Sequence, residues 1–198
     1  MARTESKKYN DLKHIEYLKI LEKKVLWLSA WTIHNANHLR KSSDGLKVGG
    51  HQASCASVVS LMSALYFDIL TPADRVAVKP HASPVFHAIQ YLMGIQTKNN
   101  LKNFRALGGA QSYPSRTKDI DDVNISTGSV GLGVGMTLFA SMVRDYIKLN
   151  KLNVKNKNPG LNSRYPTIIC TSGANIGISL GNTTIEKIAV KAIIRLVH

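Results

Sequence analysis

The stretch Thr127-Gly128-Ser129-Val130-Gly131-Leu132-Gly133 joins a turn of small residues to an apolar run of helical period. Two earlier segments have the same form, Gly49-Gly50-His51-Gln52-Ala53-Ser54 and Lys79-Pro80-His81-Ala82-Ser83-Pro84. The first turn of a helix presents free backbone N–H groups and the positive end of the helix dipole, which favour a phosphate or a developing anion. Three such helix starts, two of them bearing an imidazole, predict a site for an anionic cofactor.

The pattern of apolar residues around these starts predicts an α/β domain with a parallel sheet flanked by helices. The expected helices cover residues 15–35, 53–70, 84–94, 99–107, 130–149 and 185–197, and the expected strands cover 75–78 and 166–171. A polar, irregular segment covers 108–124. We interpret residues 1–150 as one domain and residues 151–198 as a divergent basic tail of unknown role.

The positive charge of the chain is unevenly distributed. The net charge is +14 at pH 7, and residues 144–198 carry nine Lys/Arg against two Asp/Glu. Half of the excess is therefore distant in sequence from the three helix starts, and no zinc-finger, RNA-recognition or helix-turn-helix pattern accompanies it. A basic surface around an anionic ligand explains the charge at least as well as nucleic-acid binding, which we do not expect.

Composition also indicates a compartment. Hydrophobic residues make up 44% of the chain, which is enough for a core. No apolar run approaches 18 residues and the first residues are polar, so we expect neither a membrane span nor a secretory signal, and a cytoplasmic location. Cys55 and Cys170 have no metal-ligand spacing, and we interpret both as buried small hydrophobic residues.

The glycines and histidines also have structural interpretations. A glycine-rich helix start suits tight packing on a sheet, and the glycine spacing here differs from the dinucleotide-binding fingerprint. A histidine at a helix start is commonly a polar cap. However, the positive end of the dipole favours the neutral imidazole, which can accept or donate a proton near pH 7. His51 and His81 both have this position, so a functional role and a polar cap both stay open at this point.

Other polar residues carry less information. His87 falls inside the third expected helix, where a structural role is favoured, while His34 and His38 are expected at the surface rather than on a metal. Lys79, Ser115 and Arg116 either contact a sugar phosphate or carboxylate or belong to a solvated surface. The acidic group Asp119, Asp121 and Asp122 is too closely spaced in an irregular loop to be named a metal site.

Taken in order, these motifs resemble the N-terminal, diphosphate-binding part of transketolases. The closer similarity is to the homodimeric first component of pyruvate dehydrogenase and its transketolase-like relatives. The matching segments, at similar spacing within residues 15–149, are Gly50-His51, Leu101-Lys102-Asn103-Phe104-Arg105, Pro80-His81-Ala82-Ser83, Ser112-Tyr113-Pro114 and the glycine stretch 127–133.

The resemblance implies a thiamine-diphosphate-binding fold, with thiamine diphosphate and Mg²⁺ as cofactors. It also implies transfer or oxidative decarboxylation of a two-carbon unit from a ketose or 2-oxo acid. His51 would be catalytic, stabilising the oxygen of the attacked carbonyl or moving its proton. His81 would be both catalytic and cofactor-binding, and Gly128, Ser129 and Val130 would contact the cofactor. The implied partners are the small-molecule substrate and a second subunit, in a homodimer or as a complementary chain.

The sequence departs from this family after the expected strand at 166–171. Where the family has Gly-Asp-Gly or Gly-Asp-Ala, followed by an asparagine, to hold Mg²⁺, the chain reads Thr171-Ser172-Gly173-Ala174-Asn175, and no aspartate follows Asp145. Ser115-Arg116 replaces a histidine of the Tyr-Pro loop, and the pyrimidine-binding domain with its activating glutamate is missing.

These departures predict an incomplete fold without metal ligands, in a truncated or split fragment that is inactive alone. Whether the chain is an enzyme stays open at this point. The alternative is a non-catalytic interaction or regulatory fragment that retains the fold. A basic nucleic-acid binder rests on charge only.

Overall fold

A computed structural model describes residues 2–42, 44–72, 74–128, 131–152, 167–170 and 176–179, and these residues are mostly helical. The helices are α1 (Ala2–His34), α2 (Gln52–Ala64), α3 (Ser83–Leu92), α4 (Lys98–Lys102) and α5 (Leu132–Leu149). Single π-helical turns, Asn35–Leu39 and Leu65–Ile69, extend α1 and α2, and a 3₁₀ turn, Pro80–Ala82, precedes α3. The strands are β1 (Ala77–Val78), β2 (Thr167–Cys170) and β3 (Ile176–Ser179).

The sheet is short and mixed. β1 pairs in parallel with β2, Ala77 opposite Thr167, while β2 pairs antiparallel with β3. A separate parallel bridge joins Ala77 to Ile125, in the segment that leads to the glycine stretch. The expected parallel sheet is therefore present only as the β1–β2 pairing, and the α/β fold is not confirmed. β3 was not predicted, because the residues around it are rich in Ser, Asn and Gly.

The expected helices within the described residues all form, with different ends. α1 begins well before residue 15, and α4 ends at Lys102 rather than near 107. The chain leaves α4 because Arg105 takes a left-handed conformation, φ +61°, and its backbone N–H donates to Ala110 O at 2.9 Å instead of continuing the helix. The expected helix 185–197 lies outside the described residues.

One hydrophobic core lies between α1, α2, α3 and β1. The buried residues of this core include Val25, Ile33, Cys55, Val58, Val59, Met62, Leu65, Val76, Val78, Val85, Phe86 and Ile89. The members from α2 recur three and four positions apart, so one face of that helix is buried. Cys55 is buried, as expected, while the side chain of Cys170 lies outside the described part of the structure.

Within the part of the chain that the structure describes, one helical stretch, Gln52–Ile69, could cross a membrane by length and composition alone. The stretch is not one continuous apolar run, because four serines and Asp68 interrupt it. Its inner face, with Val58 and Met62, lies in the core against α1 and α3. This burial is typical of a core helix.

α5 exposes large apolar side chains along one face. Phe139 is 65% exposed, Tyr146 62% and Leu149 82%. Its small residues face the opposite way: a Cβ added to Gly133 would lie 3.3 Å from Ala77 Cβ, so the start of α5 packs closely on β1. α5 therefore has one packed face and one exposed apolar face.

Truncating the core residue Met62 to alanine should lower the free energy of unfolding by about 2–5 kcal/mol, since the side chain is fully buried and leaves a cavity. Met93→Ala is the matched control, because Met93 is 47% exposed at the end of α3 and should cost less than about 0.5 kcal/mol. Urea unfolding followed by circular dichroism measures both. Equal losses would contradict the core described above.

Candidate functional site

The turn before α2 is held against α1 by a side-chain amide. Gly49 and Gly50 have φ of +77° and +133°, which favour glycine. The Asn37 side chain donates to Gly49 O at 3.0 Å and accepts from Gly49 N at 2.9 Å. A Cβ on Gly50 would lie 2.9 Å from Ile33 Cγ2. α1 therefore fixes the backbone that leads into His51. Sequence reasoning missed Asn37, since an asparagine at the start of a loop carries no sign of its partner.

His51 and His81 both lie directly before helices, as the sequence predicted. His51 precedes α2, and its backbone oxygen accepts from Cys55 N at 3.0 Å, while its side chain makes no capping hydrogen bond. His81 lies in the turn Pro80–Ala82 before α3. The Cys55 thiol donates to His81 O at 3.3 Å, which connects the two helix starts. The capping interpretation of His51 is therefore wrong in this structure.

The two imidazoles lie against each other. The ring centroids of His51 and His81 are 4.3 Å apart, with 26° between the ring planes. His51 is exposed, and the Nδ1 atom of His81 is buried without a hydrogen-bond partner among the described residues. Burial, followed by the charges of His51, Lys79 and Arg105, lowers the pKa of His81. His81 is therefore neutral near pH 7, and its orphaned nitrogen suits a ligand.

The glycine stretch reaches the same end of β1. Ala77 bridges to Ile125, and the Thr127 hydroxyl donates to Val78 O at 3.0 Å. These contacts bring Gly128 to the carboxyl end of β1, the end that leads into His81. That the three helix starts share one site stays a prediction.

The remaining residues of the glycine stretch are only partly described. Gly131 has φ +65°, a value that favours glycine, and α5 begins one residue later. Ser129 and Val130, expected at the cofactor, lie outside the described residues.

His87 belongs to a separate buried network. Its Nδ1 lies 2.7 Å from Asp121 Oδ2, and its Nε2 lies 2.7 Å from Gln111 O. Gln96 donates to the same carboxylate oxygen at 2.7 Å. A carbonyl oxygen can only accept, so Nε2 carries a proton. Burial alone would lower the pKa of His87, but the hydrogen bond and charge of Asp121 outweigh it and raise that pKa.

The same network contains the one metal-compatible group within the described part of the chain. Ligand atoms of His87, Asp119 and Asp121 lie within 4.8 Å of one another. However, Asp119 accepts backbone N–H groups from Gln111 at 3.0 Å and Ser115 at 2.7 Å, and both ring nitrogens of His87 are hydrogen-bonded. These groups hold the irregular loop 108–124 in place. They do not fit Mg²⁺ at the histidine pair.

The predicted anion contacts separate into two places. Lys79 lies close enough to His81 to lower its pKa. Arg116 instead lines a cavity of about 450 Å³ with Arg75 and Asp122, near the amino end of β1. The backbone N–H of Ser115 donates a hydrogen bond to Asp119 and so helps to hold the loop 108–124. Of the three, Lys79 alone belongs with the histidine pair.

Adding a methyl group at Gly50 should destabilise the site more than adding one at Gly45. Both glycines have positive φ, so both substitutions to alanine incur backbone strain of about 1 kcal/mol, but only Gly50 also meets Ile33. We expect Gly50→Ala to cost about 1–3 kcal/mol more than Gly45→Ala in urea unfolding. Similar costs for the two variants would argue against the close approach of the turn to α1.

The stability contributed by His87 should depend on pH. A raised folded-state pKa means that this contribution is complete below the unfolded value of about 6.5 and is lost as pH rises through the folded value. The difference in free energy of unfolding between the natural chain and His87→Gln should therefore be largest near pH 6, at about 3 kcal/mol, and smaller at pH 9. His38→Gln, at an exposed histidine, should give only a small difference. A His87→Gln difference that grows with pH would refute the charged pair.

Comparison with known proteins gives distant partial matches. No family model matches the chain. It is 31% identical to transketolase-like protein 2 of Mus musculus over 97 residues, 43% of this chain and 15% of that protein. It is 28% identical to the pyruvate dehydrogenase E1 component of Mycolicibacterium smegmatis over 134 residues, 62% of this chain and 14% of that protein. The same component of Mycobacterium tuberculosis gives the same figures.

The chain thus spans about one-seventh of the length of the curated relatives it matches. The names of these matched proteins agree with the family that the histidine and glycine motifs resemble. The chain is distantly similar, over part of its length, to transketolase-like and pyruvate dehydrogenase E1 proteins.

Proposed function

We propose that this chain forms the diphosphate-binding side of a thiamine-diphosphate site in a transketolase-like or pyruvate-dehydrogenase-like enzyme. The observation that carries the proposal is the stacked pair His51 and His81, with an unpartnered ring nitrogen, beside the end of β1 that leads to Gly128. The names of the distant relatives support the same class. The fold is then an incomplete thiamine-diphosphate-binding fold.

The residues present fit the organic cofactor by charge and shape. Lys79 and Arg105 lie near His81, and positive charge favours a diphosphate. Gly128 has no side chain to block a phosphate, and the nearest atom to a Cβ built there is 3.9 Å away. Ser129 and Val130 follow it in sequence and would complete this contact. When bound, thiamine diphosphate supplies a nucleophilic carbon and an electron sink.

The histidines then do different work. His51, exposed and at the outer side of the pair, binds the oxygen of the substrate carbonyl and transfers the proton that this oxygen takes up when the carbonyl carbon is attacked. His81, neutral near pH 7, offers its buried Nδ1 as a hydrogen-bond partner close to the cofactor. The stacking of the two rings fixes the distance between the imidazole that would bind the carbonyl and the imidazole that would lie close to the cofactor. The reaction is transfer or oxidative decarboxylation of a two-carbon unit from a ketose or a 2-oxo acid, in the cytoplasm.

The described residues do not fit Mg²⁺, so no metal ligand is proposed among them. We propose that a complementary subunit or a second copy completes the site and that the chain alone is inactive. The exposed apolar face of α5 is consistent with such a partner. The same face favours the alternative function, a non-catalytic interaction or regulatory fragment that retains the fold.

Calorimetric titration separates these two functions. We expect the chain to bind thiamine diphosphate weakly but saturably at millimolar concentration, and thiamine, which lacks the diphosphate, more weakly. His81→Gln should weaken thiamine diphosphate binding by about tenfold, which corresponds to about 1.4 kcal/mol. His38→Gln, at an exposed histidine outside the site, should leave it unchanged. Absence of binding at millimolar ligand, or equal binding by His81→Gln, would favour the non-catalytic function.

A further inference from the structure

The helix α1 carries two stripes of residues that recur three and four positions apart. One stripe faces the core, where Val25, Ser29 and Thr32 are buried and α1 packs on α2 and α3. The other stripe faces solvent, and its members, which we call the outer stripe, are Tyr17, Ile20, Lys24, Trp27, Trp31 and His34. All of them are exposed except the partly buried Trp31. The outer stripe extends for about 26 Å along the helix.

Large apolar side chains make up most of the outer stripe. Tyr17 is 63% exposed, Ile20 50% and Trp27 63%. The rings of Trp27 and Trp31 stack on each other, with centroids 6.2 Å apart and 15° between the ring planes. A contiguous exposed row of this kind marks an interaction site in soluble proteins, and tryptophan and tyrosine are enriched in interfaces. The outer stripe therefore has the composition of a docking surface.

The spacing of the outer stripe indicates the shape of the partner. Its members alternate between steps of three and four residues from Tyr17 to His34. This alternation repeats every seven residues, as in the seam between two α-helices that coil around each other. Each side chain of a second helix laid along such a seam enters a space between four residues of the first. The outer stripe therefore fits a helix better than a loop or a strand.

The middle of the outer stripe is positively charged. Residues 17–34 hold three lysines and one acid, Glu22. Lys23 and Lys24 are exposed, and neither forms an ion pair within the described part of the chain. Glu22 accepts from the Ser60 hydroxyl, so its charge is directed to α2. An exposed acid, Glu16, comes one residue before the outer stripe, about two turns from these lysines. Acidic side chains on a partner would therefore meet positive charge that this chain does not neutralise.

We propose that the outer stripe is the docking surface for an amphipathic α-helix of a partner protein, with acidic residues beside its apolar face. The apolar residues of that helix pack between Ile20, Trp27 and Trp31. Its carboxylates pair with Lys23 and Lys24. None of these residues belongs to the histidine pair or the glycine stretch, so the docking surface is independent of the proposed function.

The same lysines argue against two other occupants. A second copy of this chain would bring two sets of lysines together along the seam, and like charges repel. The surface of a lipid bilayer would bury Lys24, because it lies within the apolar row between Ile20 and Trp27 rather than at its edge. A helix with acidic residues instead pairs this charge where it lies.

Tryptophan fluorescence of the full chain tests the proposal, because Trp27 and Trp31 are the two tryptophans of the sequence. The probe is a synthetic peptide of about three heptads, with leucine at positions a and d and glutamate at e and g. Repulsion between its glutamates keeps this peptide from pairing with itself at neutral pH. The control peptide has lysine at e and g. We expect the acidic peptide to shift the emission saturably to shorter wavelength and the basic peptide to leave the emission unchanged.

Two variants and a matched control locate the binding. Lys24→Glu should weaken binding of the acidic peptide by about tenfold and allow the basic peptide to bind, because the charge at the seam is reversed. Tyr17→Ala should weaken the acidic peptide by about tenfold, whereas Tyr146→Ala, at an equally exposed tyrosine on α5, should leave its affinity unchanged. All three side chains are exposed, so urea unfolding should be nearly the same as for the natural chain.

Four results would overturn the proposal. The first two are an absence of any shift with the acidic peptide and equal binding of the two peptides. The third is an emission shift that occurs with vesicles of anionic phospholipid and not with the acidic peptide, which would assign the surface to a bilayer. The fourth is a shift that follows the concentration of the chain itself together with dimer formation in analytical ultracentrifugation, which would assign the surface to a second copy.

Discussion

The contact between the Gly49–Gly50 turn and α1 determines the geometry of the whole candidate site. The Asn37 side chain forms hydrogen bonds with both the N–H and the carbonyl oxygen of Gly49. Ile33 leaves space for only a hydrogen atom on the Cα of Gly50. Because α2 begins two residues after this turn, the contact sets where His51 lies. The hydrogen bond from the Cys55 thiol to His81 O then connects the start of α2 to the backbone of His81. A single close approach between a helix and a turn therefore positions two imidazoles that lie thirty residues apart in sequence.

The helices and the helix starts could be predicted from sequence, because their signals are local. Apolar residues three and four positions apart mark α2 and α5, and Pro84 falls in the first turn of α3. The position of His51 and His81 before helices follows from the same signals. Their stacking does not, since a ring contact depends on the packing of α2 against α3. The early end of α4 was also missed, because the left-handed backbone of Arg105 depends on its hydrogen bond to Ala110 O.

The partners of the acidic residues in the loop 108–124 also could not be predicted from sequence spacing. Asp119 and Asp121 are two residues apart and look like one cluster in sequence. The structure gives them different work: Asp119 binds backbone N–H groups of its own loop, and Asp121 pairs with the buried His87 on α3. Sequence spacing cannot show that a histidine 34 positions earlier provides the partner charge. The network fixes the irregular loop 108–124 against α3.

The exposed apolar face of α5 affects how much of the protein a cell can maintain. Large apolar side chains in contact with water, such as Phe139, Tyr146 and Leu149, bind non-specifically to other exposed apolar surfaces. A chain with this face uncovered is a substrate for chaperones and for proteases that recognise incompletely assembled proteins. Its abundance would then follow the supply of whatever surface covers α5, rather than its own rate of synthesis.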